Sequence, residues 1–126
     1  MTVVVFHNPE CGTSRNVVEY IRNSGEEPVI IEYLKTGWTK EQLLSLFAAA
    51  DITPREALRT SKSPAEKLGL LDESVSDEKL LEAMLEYPIL VNRPIVCSPK
   101  GVKLCRPSVT VQSMLDGDIG ELENQS

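Results

Sequence analysis

The sequence VVVFHNPECGTSR at residues 3–15 predicts how this chain folds. Its four leading apolar residues predict a buried strand, and the turn residues after them lead into an amphipathic segment at residues 16–24. A strand that turns directly into a helix places Cys11 at the start of that helix. The unpaired N–H groups and the positive dipole end of a first helical turn stabilise an anion. We therefore expect Cys11 to ionise readily, and the thiolate is the reactive form of cysteine.

The predicted first helix leads into a second strand. Val17, Val18 and Ile21 form one apolar face of the helix, and Gly25 predicts its end. Residues 28–33 (PVIIEY) form the second predicted strand. A strand, a helix and a strand in so short a span predict a right-handed βαβ unit with parallel strands.

A helical insertion is predicted at about residues 39–87, between the βαβ unit and the strands that follow. Four residues with capping side chains predict helix starts in it: Thr39, Thr53, Ser63 and Ser76. At the second and third of these starts, proline occupies the first helical position, where its missing N–H costs nothing.

The remaining sequence predicts two more strands and a short helix. Residues 94–98 and 102–104 flank a Pro-Lys-Gly turn, which is typical of a β-hairpin. The order β-α-β, helical insertion, β-β-α matches an α/β protein with the thioredoxin-like fold and a four-stranded mixed sheet. We predict a single domain at residues 1–115 and a polar C-terminal tail at residues 116–126 that frays.

Composition limits the class of protein. No apolar run approaches the ~20 residues of a membrane span or the ~7–15 of a signal-peptide core, so a cytoplasmic protein is expected. The net charge of −6 argues against general nucleic-acid binding, which needs a basic face. The cysteines at positions 11, 97 and 105 fit neither a disulfide set nor a zinc site, so we expect reduced thiols and no metal. Nothing in the pattern demands a dimer, and a monomer is expected.

The sequence HNPECGTSRN at residues 7–16 resembles the opening motif of arsenate reductases of the ArsC type, the glutathione- and glutaredoxin-dependent class. Four later blocks match the same family in order and spacing: ALR at 57–59, LGL at 68–70, PILVNRPI at 88–95 and LCRPS at 104–108. The resemblance therefore covers nearly the whole chain.

The resemblance implies reduction of arsenate to arsenite, as in arsenic detoxification. In the family, arginines at the positions of Arg59, Arg93 and Arg106 surround the oxyanion, and the cysteine at the position of Cys11 attacks arsenic. Glutathione then attacks the adduct as a co-substrate, arsenite leaves, and glutaredoxin clears the mixed disulfide; no bound cofactor is implied. Arginine suits this substrate because its planar fork donates two parallel hydrogen bonds to an oxyanion.

Other residues of the motif have alternative interpretations. Cys11 is a nucleophile or a buried structural thiol. By resemblance His7 lowers the pKa of the thiol through a positive charge; the alternative is a packing role. Arg15 contacts either the anion or Glu19, its i,i+4 neighbour. By resemblance Ser14 also belongs to the substrate-binding set.

Two further residues are assigned structural roles at the site, Gly12 and Pro94. In the thioredoxin-like fold a cis-proline faces the active cysteine, and Pro94 matches that position. Arg59 taken alone is a cation at a helix C-terminus, and only the resemblance makes it a ligand.

Cys11 has no local partner thiol, because the residue three positions later is Ser14 and no Cys-x-x-Cys pair exists. The motif therefore implies an external thiol as the reductant. Cys105 belongs to the family pattern, whereas Cys97 departs from it and is interpreted as a small buried hydrophobe.

Two alternative functions remain at this point. One is a glutathione-dependent thiol oxidoreductase that acts on another substrate, which would not need three arginines. The other is an Spx-like redox regulator that binds RNA polymerase, and such proteins typically carry a Cys-x-x-Cys switch.

Overall fold

Two compact units make up this chain in a computed structural model that describes residues 1–122. Residues 1–33 and those from 93 onward form the first, here called the sheet unit, and residues 34–92 form the second, the helical unit. Among the described residues, no helix is both long enough and apolar enough to cross a membrane.

The sheet unit contains four strands. Its elements are β1 (Val4–His7), α1 (Gly12–Asn23), β2 (Val29–Glu32), β3 (Ile95–Ser98), β4 (Gly101–Leu104) and a 3-10 helix (Ser108–Met114). The strand order is β2-β1-β3-β4; β1 and β2 are parallel, and the other two pairs are antiparallel. This mixed sheet confirms the predicted thioredoxin-like fold. The short last helix has 3-10 geometry.

Helix α1 begins and ends where the sequence predicts. Cys11 is its N-cap residue, with extended backbone angles, and Gly12 is the first helical residue. Gly25 follows the C-cap with φ of +97°, in the left-handed region that favours glycine. The chain thus reverses after α1 and enters β2, which completes the βαβ unit.

The core of the sheet unit lies between α1, the sheet and the last 3-10 helix. Val3, just before β1, and Val5 on β1 pack with Val17 and Ile21 on α1. Side chains alternate along a strand, so His7 points to the same face of the sheet as these two valines. The apolar pattern of β1 therefore brings the histidine beneath α1.

Packing continues past residue 115, where the predicted domain boundary falls. Ile119 is buried in the same core, and its carbonyl accepts a hydrogen bond from Asn23 Nδ2 at 3.0 Å. At Gly117 a Cβ atom would stand 2.2 Å from the carbonyl oxygen of Ser24, so only glycine permits this approach. Within the predicted tail, Gly117, Ile119 and Leu122 pack against the sheet unit. Residues 123–126 lie outside the described residues.

The helical unit is built from short helices. They are α2 (Tyr33–Thr36), which crosses the junction between the units, α3 (Lys40–Ala50), α4 (Pro54–Ala57), α5 (Asp77–Glu86) and a 3-10 helix (Pro88–Leu90). Capping side chains stabilise the starts of α3, α4 and α5. Thr39 and Thr53 form the predicted capping boxes, and Ser76 Oγ accepts from Lys79 N at 3.2 Å. Three of the four predicted helix starts are therefore confirmed.

The helix predicted from Ser63 does not form, and this prediction is wrong. The Ser63 hydroxyl donates backwards to the Arg59 carbonyl at 2.5 Å. The backbone hydrogen bonds of the next segment do not keep one helical spacing: the Leu68 N–H donates to the carbonyl four residues earlier, and the Leu70 N–H to the carbonyl five residues earlier. Gly69 between them has φ of +74°. The segment consequently forms a series of turns.

Candidate active site

The turn between β1 and α1 holds Cys11 in a fixed position. The Cys11 N–H donates to the Asn8 carbonyl at 3.0 Å, which closes the turn that brings the chain onto α1. The Cys11 side chain is 7% exposed. The thiol is thus shielded, yet it lies at the N-terminus of a helix of 12 residues.

The surroundings of the thiol lower its pKa. Burial by itself raises the pKa of Cys11, because it disfavours the thiolate. The Ser14 backbone N–H, the charge of Arg93, and hydrogen bonds from Arg106 and Arg93 outweigh this effect, so the net shift is downward. The Arg106 Nη1 atom lies 3.8 Å from Cys11 Sγ. The N–H group and the two guanidinium groups therefore stabilise the anionic form of the sulfur.

Two of the three predicted arginines meet at Cys11. Arg106 Nη1 also donates to the Arg93 carbonyl at 3.0 Å, which ties the segments before β3 and after β4 together. The Arg93–Pro94 peptide bond is cis, as predicted. The Arg106–Pro107 bond is cis as well, which the sequence had not indicated. The resulting arrangement can hold an oxyanion beside the sulfur, because two guanidinium groups converge on one nucleophile.

His7 does not carry the charge that the resemblance implied. Burial lowers the pKa of His7; Glu32 raises it in part, while Arg15 and Arg22 lower it further. The surroundings therefore favour the neutral imidazole, and the groups that lower the pKa of Cys11 are Ser14, Arg93 and Arg106.

The neutral ring contacts Ser14 instead. His7 Nδ1 lies 2.6 Å from Ser14 Oγ, and the same oxygen accepts the Asn8 backbone N–H at 3.1 Å. The hydroxyl is thus shared by the His7 ring and the Asn8 N–H, and the tautomer of the ring decides whether Nδ1 or Oγ donates in their contact. Ser14 is fully buried. The Ser14 hydroxyl thus joins β1 to α1, and its backbone N–H stabilises the Cys11 thiolate, while its predicted substrate contact stays a prediction.

Arg15 lies against the same turn. Its Nη1 atom donates to the Pro9 carbonyl at 2.8 Å, so the guanidinium folds back over the residues that precede α1. A Cβ atom on Gly12 would stand 3.8 Å from Arg15 Nη2, which is ordinary contact, so glycine is not required there by space. Arg15 was predicted to contact either the anion or Glu19. Its position against the turn favours contact with an anion there.

Arg59 belongs to the helical unit. It directly follows Leu58, the C-cap residue of α4, which is the position of a helix-terminal cation. Its side chain is 8% exposed, and Nε donates to the Ser61 carbonyl at 3.0 Å. Its backbone N–H donates to the Leu90 carbonyl at 2.8 Å. Its role toward a substrate stays a prediction from the resemblance.

The comparison with known proteins agrees with this geometry. The model of the ArsC family matches residues 6–114. The chain belongs to the ArsC family. Arsenate reductase ArsI2 of Synechocystis sp. is 66% identical over 114 residues, which cover 90% of this chain and 81% of that protein. The arsenate reductase of Escherichia coli K12 is 50% identical over 113 residues, covering 90% and 80%.

Solved structures of arsenate reductases have the same fold as this ArsC-family chain. The arsenate reductase from Vibrio cholerae has a TM-score of 0.85 at 34% identity, covering 91% of this chain and 98% of that one. A putative arsenate reductase from Yersinia pestis has a TM-score of 0.81 at 30% identity, covering 87% and 97%. The predicted resemblance and fold are both confirmed.

The two other thiols of this ArsC-family chain differ from Cys11. Burial raises the pKa of Cys97, and it raises the pKa of Cys105 to about 12. Cys105 is fully buried, and Cys97 is half-buried as a strand residue of β3. Cys11 is therefore the thiol whose surroundings favour the nucleophilic form.

Sequence analysis assigned no role to Asn8, a buried residue of the turn. Its Oδ1 accepts the Glu10 N–H at 3.0 Å, and its own backbone groups bond Ser14 Oγ and Cys11 N. An asparagine that bonds a backbone group two residues later forms a local turn. The Asn-Pro pair at residues 8–9 was the signal that could have identified it.

Proposed function

We propose that this ArsC-family chain reduces arsenate to arsenite with Cys11 as the nucleophile and with glutathione and glutaredoxin as electron donors. Arsenate reduction follows from membership of the family and from similarity to arsenate reductases such as ArsI2, which is 66% identical over 90% of this chain. The residue assignments are supported chiefly by one observation: Arg106 Nη1 lies 3.8 Å from a thiol whose pKa is lowered.

In the first step Arg93 and Arg106 bind the arsenate oxyanion beside the sulfur. Two guanidinium groups neutralise a dianion and fix its oxygens through charge-assisted hydrogen bonds. Arg59 is proposed as the third arginine on the strength of the resemblance. Binding through oxygens leaves the arsenic atom open to attack from the thiolate of Cys11.

In the second step the Cys11 thiolate attacks arsenic. A sulfur–arsenic bond forms, an arsenic–oxygen bond breaks, and the released oxygen leaves as water after protonation. This is covalent catalysis by a nucleophile with a lowered pKa. The product is a Cys11 adduct that still contains As(V).

In the third step glutathione attacks the adduct. A disulfide forms between Cys11 and glutathione, the two sulfurs lose two electrons in total, and As(V) gains them and departs as arsenite. Glutaredoxin with a second glutathione then reduces this mixed disulfide and restores the Cys11 thiol. An external thiol is proposed because Cys11 has no Cys-x-x-Cys partner, and burial raises the pKa of the other two cysteines, Cys97 and Cys105.

We place this reaction in the cytoplasm and assign it to a monomer. The cytoplasm supplies the glutathione that the third step consumes. Size-exclusion chromatography with light scattering should give a mass near 13.9 kDa. A dimer mass would overturn the monomer assignment and leave the chemistry unaffected.

A coupled assay tests the proposed reaction. Purified protein with glutathione, glutaredoxin, glutathione reductase and NADPH should oxidise NADPH only when arsenate is added. The Cys11→Ser variant should show no arsenate-dependent rate. Oxidation without arsenate, or turnover with arsenate that does not need glutathione, would overturn the proposed donors.

A further inference from the structure

A cleft of about 450 Å³ runs along one side of α1 in the sheet unit. Its lining includes His7 of β1, Ile30 of β2, and Arg15, Asn16, Glu19 and Arg22 of α1. The proposed arsenate chemistry uses none of the last three side chains. The cleft therefore offers a binding site that the nucleophile and the two arginines beside it do not account for.

The charged groups of the cleft form a stripe on α1. Arg15, Glu19 and Arg22 stand at i, i+4 and i+7, which lie on one face of a helix. The stripe thus carries two cations with one anion between them. Ile30, the apolar wall, is on β2 at the edge of the sheet.

This pattern complements glutathione. At neutral pH glutathione carries an amino and a carboxylate group on its γ-glutamyl end, and a second carboxylate on its glycyl end. A carboxylate next to a guanidinium can hold such an amino acid end by its two charges, and a separate guanidinium can hold the other carboxylate. In the cleft, Glu19 and Arg22 form the carboxylate–guanidinium pair, and Arg15 is the separate guanidinium.

The arginines have hydrogen-bonding capacity for this purpose. A guanidinium has five N–H donors. Arg15 donates Nη1 to the Pro9 carbonyl, and Arg22 donates Nε to Glu27 at 3.1 Å. Both side chains keep further N–H groups on exposed guanidiniums.

Distance along the helix also fits. The rise of ~1.5 Å per residue places Arg15 about 6 Å, Glu19 about 12 Å and Arg22 about 17 Å from Cys11 along the axis, and helical side chains lean toward the N-terminus. A tripeptide spans roughly 10 Å. Arg15 folds back to Pro9 and Gly12, so its guanidinium lies directly beside the turn that holds Cys11.

We propose that this cleft is the glutathione subsite, with Glu19 and Arg22 holding the γ-glutamyl end and Arg15 the glycyl carboxylate. The identity of the ligand rests on the proposed function, in which glutathione is the reductant. Held there, the tripeptide has its glycyl end beside the turn that holds Cys11, and its central thiol belongs to the residue next to that end. The same position suits the attack on the arsenate adduct and the mixed disulfide that follows.

Disulfide exchange without arsenate tests the subsite. The Cys11 thiolate attacks one sulfur of oxidised glutathione, the Cys11–glutathione disulfide forms, and one glutathione thiolate leaves. The parallel reaction with the neutral bis(2-hydroxyethyl) disulfide uses the same nucleophile without the charged ends. The ratio of the two second-order rate constants, followed by mass spectrometry, isolates recognition of the tripeptide from thiol reactivity.

We expect Glu19→Gln and Arg22→Gln each to lower this ratio about fivefold, in keeping with the loss of one partly exposed charged contact. Glu41→Gln and Lys40→Gln are the matched controls, since they make the same charge changes at exposed positions of α3 and should leave the ratio unchanged. Arg22→Lys should lose less than Arg22→Gln.

An unchanged ratio in the cleft variants would overturn the subsite. A fall of the same size in the control variants as in the cleft variants would overturn it too, since that outcome indicates an effect of long-range charge alone. In steady-state assays the KM for glutathione should rise in the cleft variants while the KM for arsenate stays constant. If the protein fails to reduce arsenate, the proposed function falls, but the exchange ratio still decides whether the cleft recognises glutathione.

Discussion

His7 Nδ1 lies 2.6 Å from Ser14 Oγ, and this contact joins the last residue of β1 to the first turn of α1. Ser14 is also the residue whose backbone N–H lowers the pKa of the Cys11 thiol. The contact thus links the histidine to the residue whose backbone N–H stabilises the thiolate. Its buried, neutral ring makes it a positioning residue.

Removing the Ser14 hydroxyl should destabilise the protein. Ser14→Ala leaves His7 Nδ1 and the Asn8 N–H without their partner, and an unsatisfied buried group costs about 1–3 kcal/mol. Urea unfolding of Ser14→Ala, His7→Leu and the double variant gives the coupling energy. Additive losses in free energy would show that the two side chains do not interact.

The hydrogen-bonding group on residue 7 should affect the pKa of the thiol. His7→Asn retains a hydrogen-bonding group near the place of Nδ1, whereas His7→Leu removes it, and both remove any charge. We expect alkylation of Cys11 by iodoacetamide, measured against pH, to have a higher midpoint in His7→Leu than in His7→Asn. Equal upward shifts in both variants would return His7 to the role of a cation.

Stability should fall as the pH is lowered through the range in which an exposed histidine titrates. The folded pKa of His7 lies below the value of 6.5, so the unfolded state binds more protons in this range. The stabilising contribution is present above pH 6.5 and is lost as the pH falls toward the folded pKa. The chain has one histidine, so the free energy of unfolding of His7→Asn, measured with urea at several pH values, should lack this histidine-dependent change. An identical pH dependence in both proteins would contradict the shift.

The three thiols should differ sharply in function. Cys11→Ser should abolish arsenate reduction and preserve the fold, since serine is similar in size and far less nucleophilic. Cys97→Val and Cys105→Ala should retain most turnover in the coupled assay, with circular dichroism as the check on folding. Loss of activity in either folded variant would point to an internal disulfide relay.

Lysine substitutions separate an oxyanion site from a generic thiol site. Arg59→Lys, Arg93→Lys and Arg106→Lys keep the charge and lose the bidentate fork. The loss of a charged hydrogen bond, roughly 1.5–3 kcal/mol, corresponds to one to two decades in arsenate kcat/KM. Alkylation by neutral iodoacetamide should change much less. Parallel losses in both rates would mean that the arginines only tune the thiol.

Much of this fold could be predicted from residues close together in sequence. The apolar run before His7, the glycine after α1 and the capping boxes at Thr39 and Thr53 act over about four residues, and all formed as expected. The same local reasoning failed at Ser63, whose hydroxyl donates to the carbonyl of Arg59 and caps no helix. A side chain with two available partners cannot be assigned from its neighbours alone.

The sequence by itself determined the order of the elements and placed Cys11 at a helix N-terminus, because turns and caps depend on nearby backbone groups. Only the tertiary structure decided that Arg106, 95 residues away, lies beside the sulfur and that the buried His7 is neutral. Burial and the charges of distant segments set both properties, since a pKa responds to solvent exclusion and to every charge that folding brings near.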